Sequence, residues 1–196
     1  MGRTRRTTSK GRATRRKKRV FGPKDFNSGD GMLTAVWGPG AWHYLHTVSF
    51  NYPVCPTGAD KKNYAALIDN LRNTLPCRYC RENVARNLKH NPLRPCHLKD
   101  RESYSRYVYQ LHETVNKMLG KKSGLTYCDV RERYEHFRAR CAVDKPAMLP
   151  RAGKKKESGC TEPLYGQKAK CVIKVVPQTE KCKSMTIDKS CRKRRV

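Results

Sequence analysis

Between about residue 37 and residue 140, apolar side chains recur at i, i+3, i+4 and i+7 in segment after segment, with Pro or Gly at the breaks. No stretch of strand length in this region alternates with period two. Trp42, Leu45, His46 and Ser49 begin the series, and Pro53 ends that helix. Tyr64, Leu67, Ile68, Leu71 and Leu75 mark one stripe of a second helix, with Asp60 as its cap. Pro76 opens a short third helix that carries Cys77, Cys80, Val84 and Leu88 on one face, and Pro92 closes it. Asp100 precedes a fourth, in which Tyr104, Tyr107, Val108, Leu111, Val115, Met118 and Leu119 follow the pattern, and Gly120 sits where a C-terminal glycine belongs. A short fifth runs through Val130, Tyr134 and Phe137. Five amphipathic helices on short connections predict an all-α fold, a four-helix bundle plus a short fifth helix.

Charge divides the chain further. Lys and Arg number 44 against 16 Asp and Glu, for a formal net charge of +28, and the excess gathers at the ends. Residues 1–20 hold ten basic side chains and no acidic one, so a disordered basic arm and linker is expected over 1–31. The helical domain is expected over 32–141. From 142 to 196 the chain is again basic, broken by Pro150, Gly153, Gly159, Pro163, Gly166 and Pro177, and reads as an irregular appendage with Cys171–Val176 as a short strand. Basic ends suit a solubilising tail, a nuclear address, or contact with nucleic acid or another polyanion. No apolar run approaches the roughly 18–20 residues of a membrane span, and no apolar stretch of a secretory signal follows the basic start. A chain that is neither membrane-spanning nor secreted is therefore expected.

Ten cysteines are then the anomaly. Pro76-Cys77-Arg78-Tyr79-Cys80 is the strongest local signal. Cysteines at i and i+3 on a helix have Cα atoms roughly 5–6 Å apart, within reach of a disulfide. A thiol in the first helical turn also feels the positive end of the helix dipole, and Arg78 and Arg81 favour the thiolate in the same way. Zinc is the competing use, with Cys96 and His97 or Cys128 as further ligands. No second Cys-x-x-Cys or His-x₃₋₅-His accompanies the pair, so the spacing argues against a metal site. A thioredoxin-like site would need strands around the motif, and here helices flank it.

The surrounding motifs form an ordered set. Trp37-Gly38-Pro39-Gly40-Ala41-Trp42, Leu45-His46-Thr47, Tyr52-Pro53, Pro76-Cys77-x-x-Cys80, Leu111-His112-x-x-Val115-Asn116-x-x-Leu119-Gly120-Lys121 and Cys128 follow one another over residues 32–141. The set resembles the Erv/ALR family of FAD-linked sulfhydryl oxidases, most closely the versions encoded by large DNA viruses. The resemblance implies a thiol oxidase that takes electrons from protein dithiols through Cys77 and Cys80 to FAD and then to O₂, giving hydrogen peroxide. It makes Cys77 the cysteine that exchanges with substrate and Cys80 the flavin-proximal one. It puts Trp37, Gly38, Trp42, His46, His112, Val115, Asn116, Leu119, Lys121 and Tyr134 around the FAD, with Tyr134 standing where many relatives have Trp.

The residues themselves fit that assignment and also plainer ones. His112 and Asn116 lie one turn apart on an apolar helix face and need hydrogen-bond partners, which a flavin, the backbone or each other would supply. Trp42 offers a stacking surface or ordinary core packing. Cys160 and Cys171 are candidates for a mobile dithiol shuttle, or else staples in the appendage. Tyr109 stands where relatives carry the first cysteine of a structural pair with Cys128, and Glu113 stands where many carry Asn. A homodimer through the first helices also follows from the resemblance, as does a place in a host cytoplasm or virion, with the nucleus and the mitochondrial intermembrane space as other locations. The alternative to an enzyme is a basic nucleic-acid-binding structural protein whose bundle is inactive.

Overall fold

The structure is a computed structural model and describes residues 20–141, 159–183 and 185–192. Most of the expected basic arm and the first part of the expected appendage lie outside the described residues. The elements, in order, are α1 (Pro23–Phe26), α2 (Thr34–Phe50), α3 (Gly58–Thr74), α4 (Arg78–His90), a 3₁₀ turn (Pro95–Leu98), α5 (Arg101–Met118), α6 (Tyr127–Glu135), β1 (Ala139–Arg140), β2 (Glu162–Pro163) and a last 3₁₀ turn (Lys189–Cys191). The all-α expectation holds.

Side-chain caps fix most helix starts. Thr57 caps α3, accepting from the Asp60 amide at 3.1 Å, while the Asp60 carboxylate accepts from the Thr57 amide at 2.8 Å. Asp60, expected as the cap itself, is thus the reciprocal partner inside the first turn. Thr126 and Asp129 cap α6 in the same reciprocal manner, and the Asp100 side chain caps α5 by accepting from the Ser103 amide. Gly120, with φ of +65°, follows α5 as its position predicts. The first long helix starts earlier than its apolar spacing shows. It begins at Thr34 and carries Pro39 inside it. α1 falls within the stretch expected as linker, and Phe137 lies beyond the end of α6.

α2 packs along α5, α3 against α4, and α6 against both α2 and α5. The core is rich in tyrosine. Leu45, Tyr52, Ile68, Leu98, Tyr104, Tyr107, Val108 and Leu111 form its buried centre, each large side chain worth roughly 1.5–3 kcal/mol of burial. A second cluster joins Phe50 to Tyr127, Val130 and Tyr134. The apolar stripe of α5 is buried from Tyr104 to Leu111 and then emerges, with Met118 44% and Leu119 51% exposed.

Among the described residues the appendage joins the helical domain through a short strand pairing and a disulfide. Ala139–Arg140 pairs antiparallel with Glu162–Pro163, the Leu164 amide donates to the Arg138 carbonyl at 2.7 Å, and Cys141 and Cys160 form a disulfide. The strand expected at Cys171–Val176 does not form. Val172, Ile173 and Val175 are exposed and pair with no neighbouring strand among the described residues. An isolated strand has no ladder to join, and apolar content alone does not supply one.

Candidate active site

Cys77 is the residue just before α4, in extended conformation, and its sulfur accepts from the Cys80 amide at 3.3 Å. It therefore occupies the capping position that Ser, Thr or Asp usually fills, where the helix dipole and a free amide favour negative charge. The two thiols are differentiated. Hydrogen bonding from Cys80, outweighing burial, moves the Cys77 pKa below the usual thiol value. Burial, together with the contact to Cys77, pushes Cys80 above it. As residues, Cys77 is buried and Cys80 half-buried. Arg78 and Arg81, expected beside the pair, are engaged elsewhere: Arg78 with the Asp30 carboxylate at 3.5 Å, Arg81 with the Leu75 carbonyl at 2.7 Å.

A second constellation forms where α2 meets the end of α5. The Trp42 and His112 rings stack with centroids 4.0 Å apart and planes 8° from parallel. His46 Nε2 and His112 Nδ1 lie 2.9 Å apart, which requires one ring to donate and the other to accept. Burial lowers the His46 pKa to about 3, with further lowering from His112 and His43, and burial lowers His112 to about 4. Both imidazoles are thus neutral near neutral pH, and the pair is a hydrogen bond between neutral rings. His46 Nδ1 is buried and has no partner. Tyr134 packs against His46 at 5.2 Å and Phe50 at 5.4 Å, and its hydroxyl lies 3.3 Å from His43 Nδ1.

The structure brings Trp42, His46, His112 and Tyr134 into one cluster. Val115 and Asn116 continue the same α5 face half-buried, and the Asn116 amide donates to Glu113 at 2.9 Å, the residue standing where relatives often carry Asn. Leu119 and Lys121 are exposed just beyond. Trp37 and Gly38 are placed differently. The Trp37 indole donates to the Met32 carbonyl at 3.1 Å, and Gly38 is buried against Thr34, so both hold the segment that precedes α2. Cys160 is joined to Cys141, not to Cys171, which is free and exposed. The backbone pairing of β1 with β2 brings Cys160 to Cys141. Cys128 is free, as Tyr109 in the partner position requires. Tyr109 instead donates to the Leu125 carbonyl at 2.8 Å, tying down the same connection.

A hollow of about 360 Å³ between Phe50, Arg101, Tyr127 and Glu135 contains none of these residues. Its charged lining is already committed, with Glu135 held by Arg138 at 2.7 Å and Glu102 by Arg106 at 2.6 Å. Among the described residues no group of three His, Cys, Asp or Glu side chains could hold a metal ion, and no helix is long and apolar enough to cross a membrane. Thr34 is the site residue that the sequence did not reveal. Its Oγ1 lies 3.4 Å from Cys80 Sγ, and a lone Thr 46 residues before the motif carries no pattern that would single it out.

The helical domain is similar to known proteins. The model of the Erv1 / Alr family matches residues 39–138. Over 104 residues the chain is 37% identical to a probable FAD-linked sulfhydryl oxidase of Acanthamoeba polyphaga mimivirus, spanning 53% of this chain and 72% of that relative. It is 30% identical over 99 residues to the FAD-linked sulfhydryl oxidase of African swine fever virus, spanning 50% of this chain and 80% of that protein. The crystal structure of the yeast Erv1 core covers 65% of this chain and 96% of its own length at 22% identity, with a TM-score of 0.45. A family match over half of the chain, together with a relative aligned over most of its own length, establishes that the chain belongs to the Erv1 / Alr family.

Proposed function

We propose that the chain is an FAD-dependent thiol oxidase that forms disulfides in protein dithiols through Cys77 and Cys80. The observation that carries this reading is the buried Nδ1 of His46, which has no partner among the described residues, beside the Trp42–His112 stack. A buried polar atom without a partner costs roughly 1–3 kcal/mol, and a ligand edged with donors and acceptors removes that cost. The residues fit FAD. The Trp42–His112 stack gives a flat apolar surface, His46 and Asn116 give polar edges, Val115 and Leu119 line the α5 side, and Lys121 gives a cation for the pyrophosphate. Tyr134 packs against His46 behind that face, and Trp37 and Gly38 hold the segment that leads into α2. Bound there, FAD supplies a two-electron acceptor for the dithiol that O₂ reoxidises with release of hydrogen peroxide.

The protein's own part is thiol chemistry and placement. A substrate thiolate attacks Cys77 Sγ of the Cys77–Cys80 disulfide, and Cys80 Sγ leaves with the electron pair. A second substrate thiol then releases Cys77, returning the dithiol. Cys77, as the more acidic thiol, is the better leaving group in that resolving step. α2 links the two constellations: Thr34 touches Cys80, and Trp42 lies eight residues on, about 12 Å along the helix axis. Neutral His46 and His112 keep fixed positive charge off the face.

The partners follow from the same surfaces. Leu33, Val36 and Tyr44 are exposed along one side of α2, which supports a homodimer with the same stripe of a second copy. The basic residues at both ends support contact with nucleic acid or another polyanion beside the oxidase activity. The viral relatives support a place in a host cytoplasm or virion. The purified full-length chain tests the reading. A yellow preparation that consumes oxygen with dithiothreitol is expected, and a colourless one that binds DNA in a salt-dependent way and consumes none would replace it with the structural alternative.

A further inference from the structure

The segment before α2 lies across the start of α4 as a strap. Gly31 bridges Cys77 in antiparallel fashion, the Met32 amide donates to the Pro76 carbonyl at 2.6 Å, and the Arg78 amide donates to the Asp30 carbonyl at 3.2 Å. Gly31 has φ of +89°, and a Cβ there would stand 2.4 Å from the Pro76 carbonyl oxygen, so only glycine lets the strap lie this close. Trp37 ties the strap to α2 through the Met32 carbonyl at 3.1 Å. Thr34, the first residue of α2, then faces the dithiol with Oγ1 3.4 Å from Cys80 Sγ. Gly38, one turn on, leaves room for the Thr34 methyl, since a Cβ at Gly38 would meet it at 3.4 Å.

We propose that Thr34 is a positioning residue for the Cys77–Cys80 pair, its hydroxyl donating a hydrogen bond to Cys80 Sγ as that sulfur takes up charge in disulfide exchange. The inference rests on the reading of the pair as the redox centre. When a substrate thiolate attacks Cys77 Sγ, a new S–S bond forms, the Cys77–Cys80 bond breaks, and its electron pair passes to Cys80 Sγ. The rate of such a step rises as the leaving thiol becomes more acidic. Cys80 starts badly placed, because burial and its contact with Cys77 make it a weaker acid, and the Thr34 contact is the largest influence in the opposite direction. The charged neighbours do not take its place. Asp30 and Arg78 pair with each other, Arg78 also lies against the Tyr79 ring, and Arg81 is spent on the Leu75 carbonyl.

The test uses the full-length chain as purified, oxidised and held without oxygen. Exchange with dithiothreitol is followed at early times by alkylating and weighing the Cys77 and Cys80 peptides, and the equilibrium is set in glutathione buffers. Thr34→Val should slow exchange about tenfold, raise the pH midpoint of Cys80 alkylation, and shift the equilibrium tenfold toward the disulfide, which is about 30 mV. Thr34→Ser should restore all three. Unchanged rates and midpoints in Thr34→Val would overturn the proposal, and so would Thr34→Ser behaving as Thr34→Val, which would assign the effect to methyl packing. A wild-type pair that does not exchange with dithiothreitol at all would instead overturn the redox reading on which the proposal rests.

Discussion

The two ends of the α2–α5 contact are built from similar rings and finished differently. At one end Tyr52, Tyr104 and Tyr107 are buried together, and each hydroxyl reaches a backbone carbonyl: Leu98 at 2.8 Å, Tyr64 at 3.2 Å and Asn91 at 3.0 Å. Burial holds the Tyr104 hydroxyl un-ionised, pushing its pKa well above the usual tyrosine value. At the other end His46 and His112 satisfy each other on one side only, Trp42 stays half-buried, and the α5 stripe surfaces at Met118 and Leu119. The first end is complete as protein. Among the described residues the second leaves His46 Nδ1 without a partner, and there we propose that FAD binds.

Substitutions at the two ends should therefore fail in different ways. The largest effect belongs to chemistry. Cys80→Ser should abolish thiol-dependent oxygen uptake, by at least about a thousandfold, while the protein stays yellow; retained turnover in an oxygen electrode would remove Cys80 from its role. Next comes the complete end. Tyr104→Ala opens a cavity and leaves the Tyr64 carbonyl without its donor, so it should cost about 3–5 kcal/mol in denaturant unfolding with or without flavin. His112→Ala should cost the flavin-free protein far less and should instead weaken flavin binding. Equal losses for the two variants would erase the distinction.

Acidity sharpens the same contrast. The folded pKa values of His46 and His112, about 3 and about 4, lie below the ordinary 6.5. Below pH 6.5 the unfolded chain therefore binds more protons than the folded one, and stability falls as pH drops from 6.5 toward 4. Thermal melting of the flavin-free protein should show that fall, and His112→Gln should reduce its slope. The smallest effect tests the scaffold alone. Thr57→Ala removes the α3 cap and should cost about 1 kcal/mol without changing flavin content.

Much of this was legible in the sequence, for identifiable reasons. Asp100, Gly120 and the α5 stripe have local signals, namely a capping side chain, a left-handed glycine and a 3.6-residue period, and each appears where expected. The cysteine pair and the His112–Asn116 spacing are visible because each is a local spacing, one across the start of α4 and one within α5. What stayed hidden depends on distant segments. The Cys141–Cys160 disulfide joins residues 19 apart through a two-residue strand pairing that no alternation announces. Thr34 gains meaning only because Gly31 bridges Cys77. The start of α2 was obscured by Pro39, which reads as a break in sequence and is accommodated inside the helix.

The most direct test of the central claim is an FAD titration of the flavin-free full-length chain, read by quenching of tryptophan emission and by the melting temperature. Saturable binding is expected, with a stability gain of about 2.7 kcal/mol at a hundredfold excess over Kd that Trp42→Ala and His112→Ala both diminish. A wild-type chain that takes up no FAD, or one whose uptake is unchanged when both rings are removed, would contradict the account.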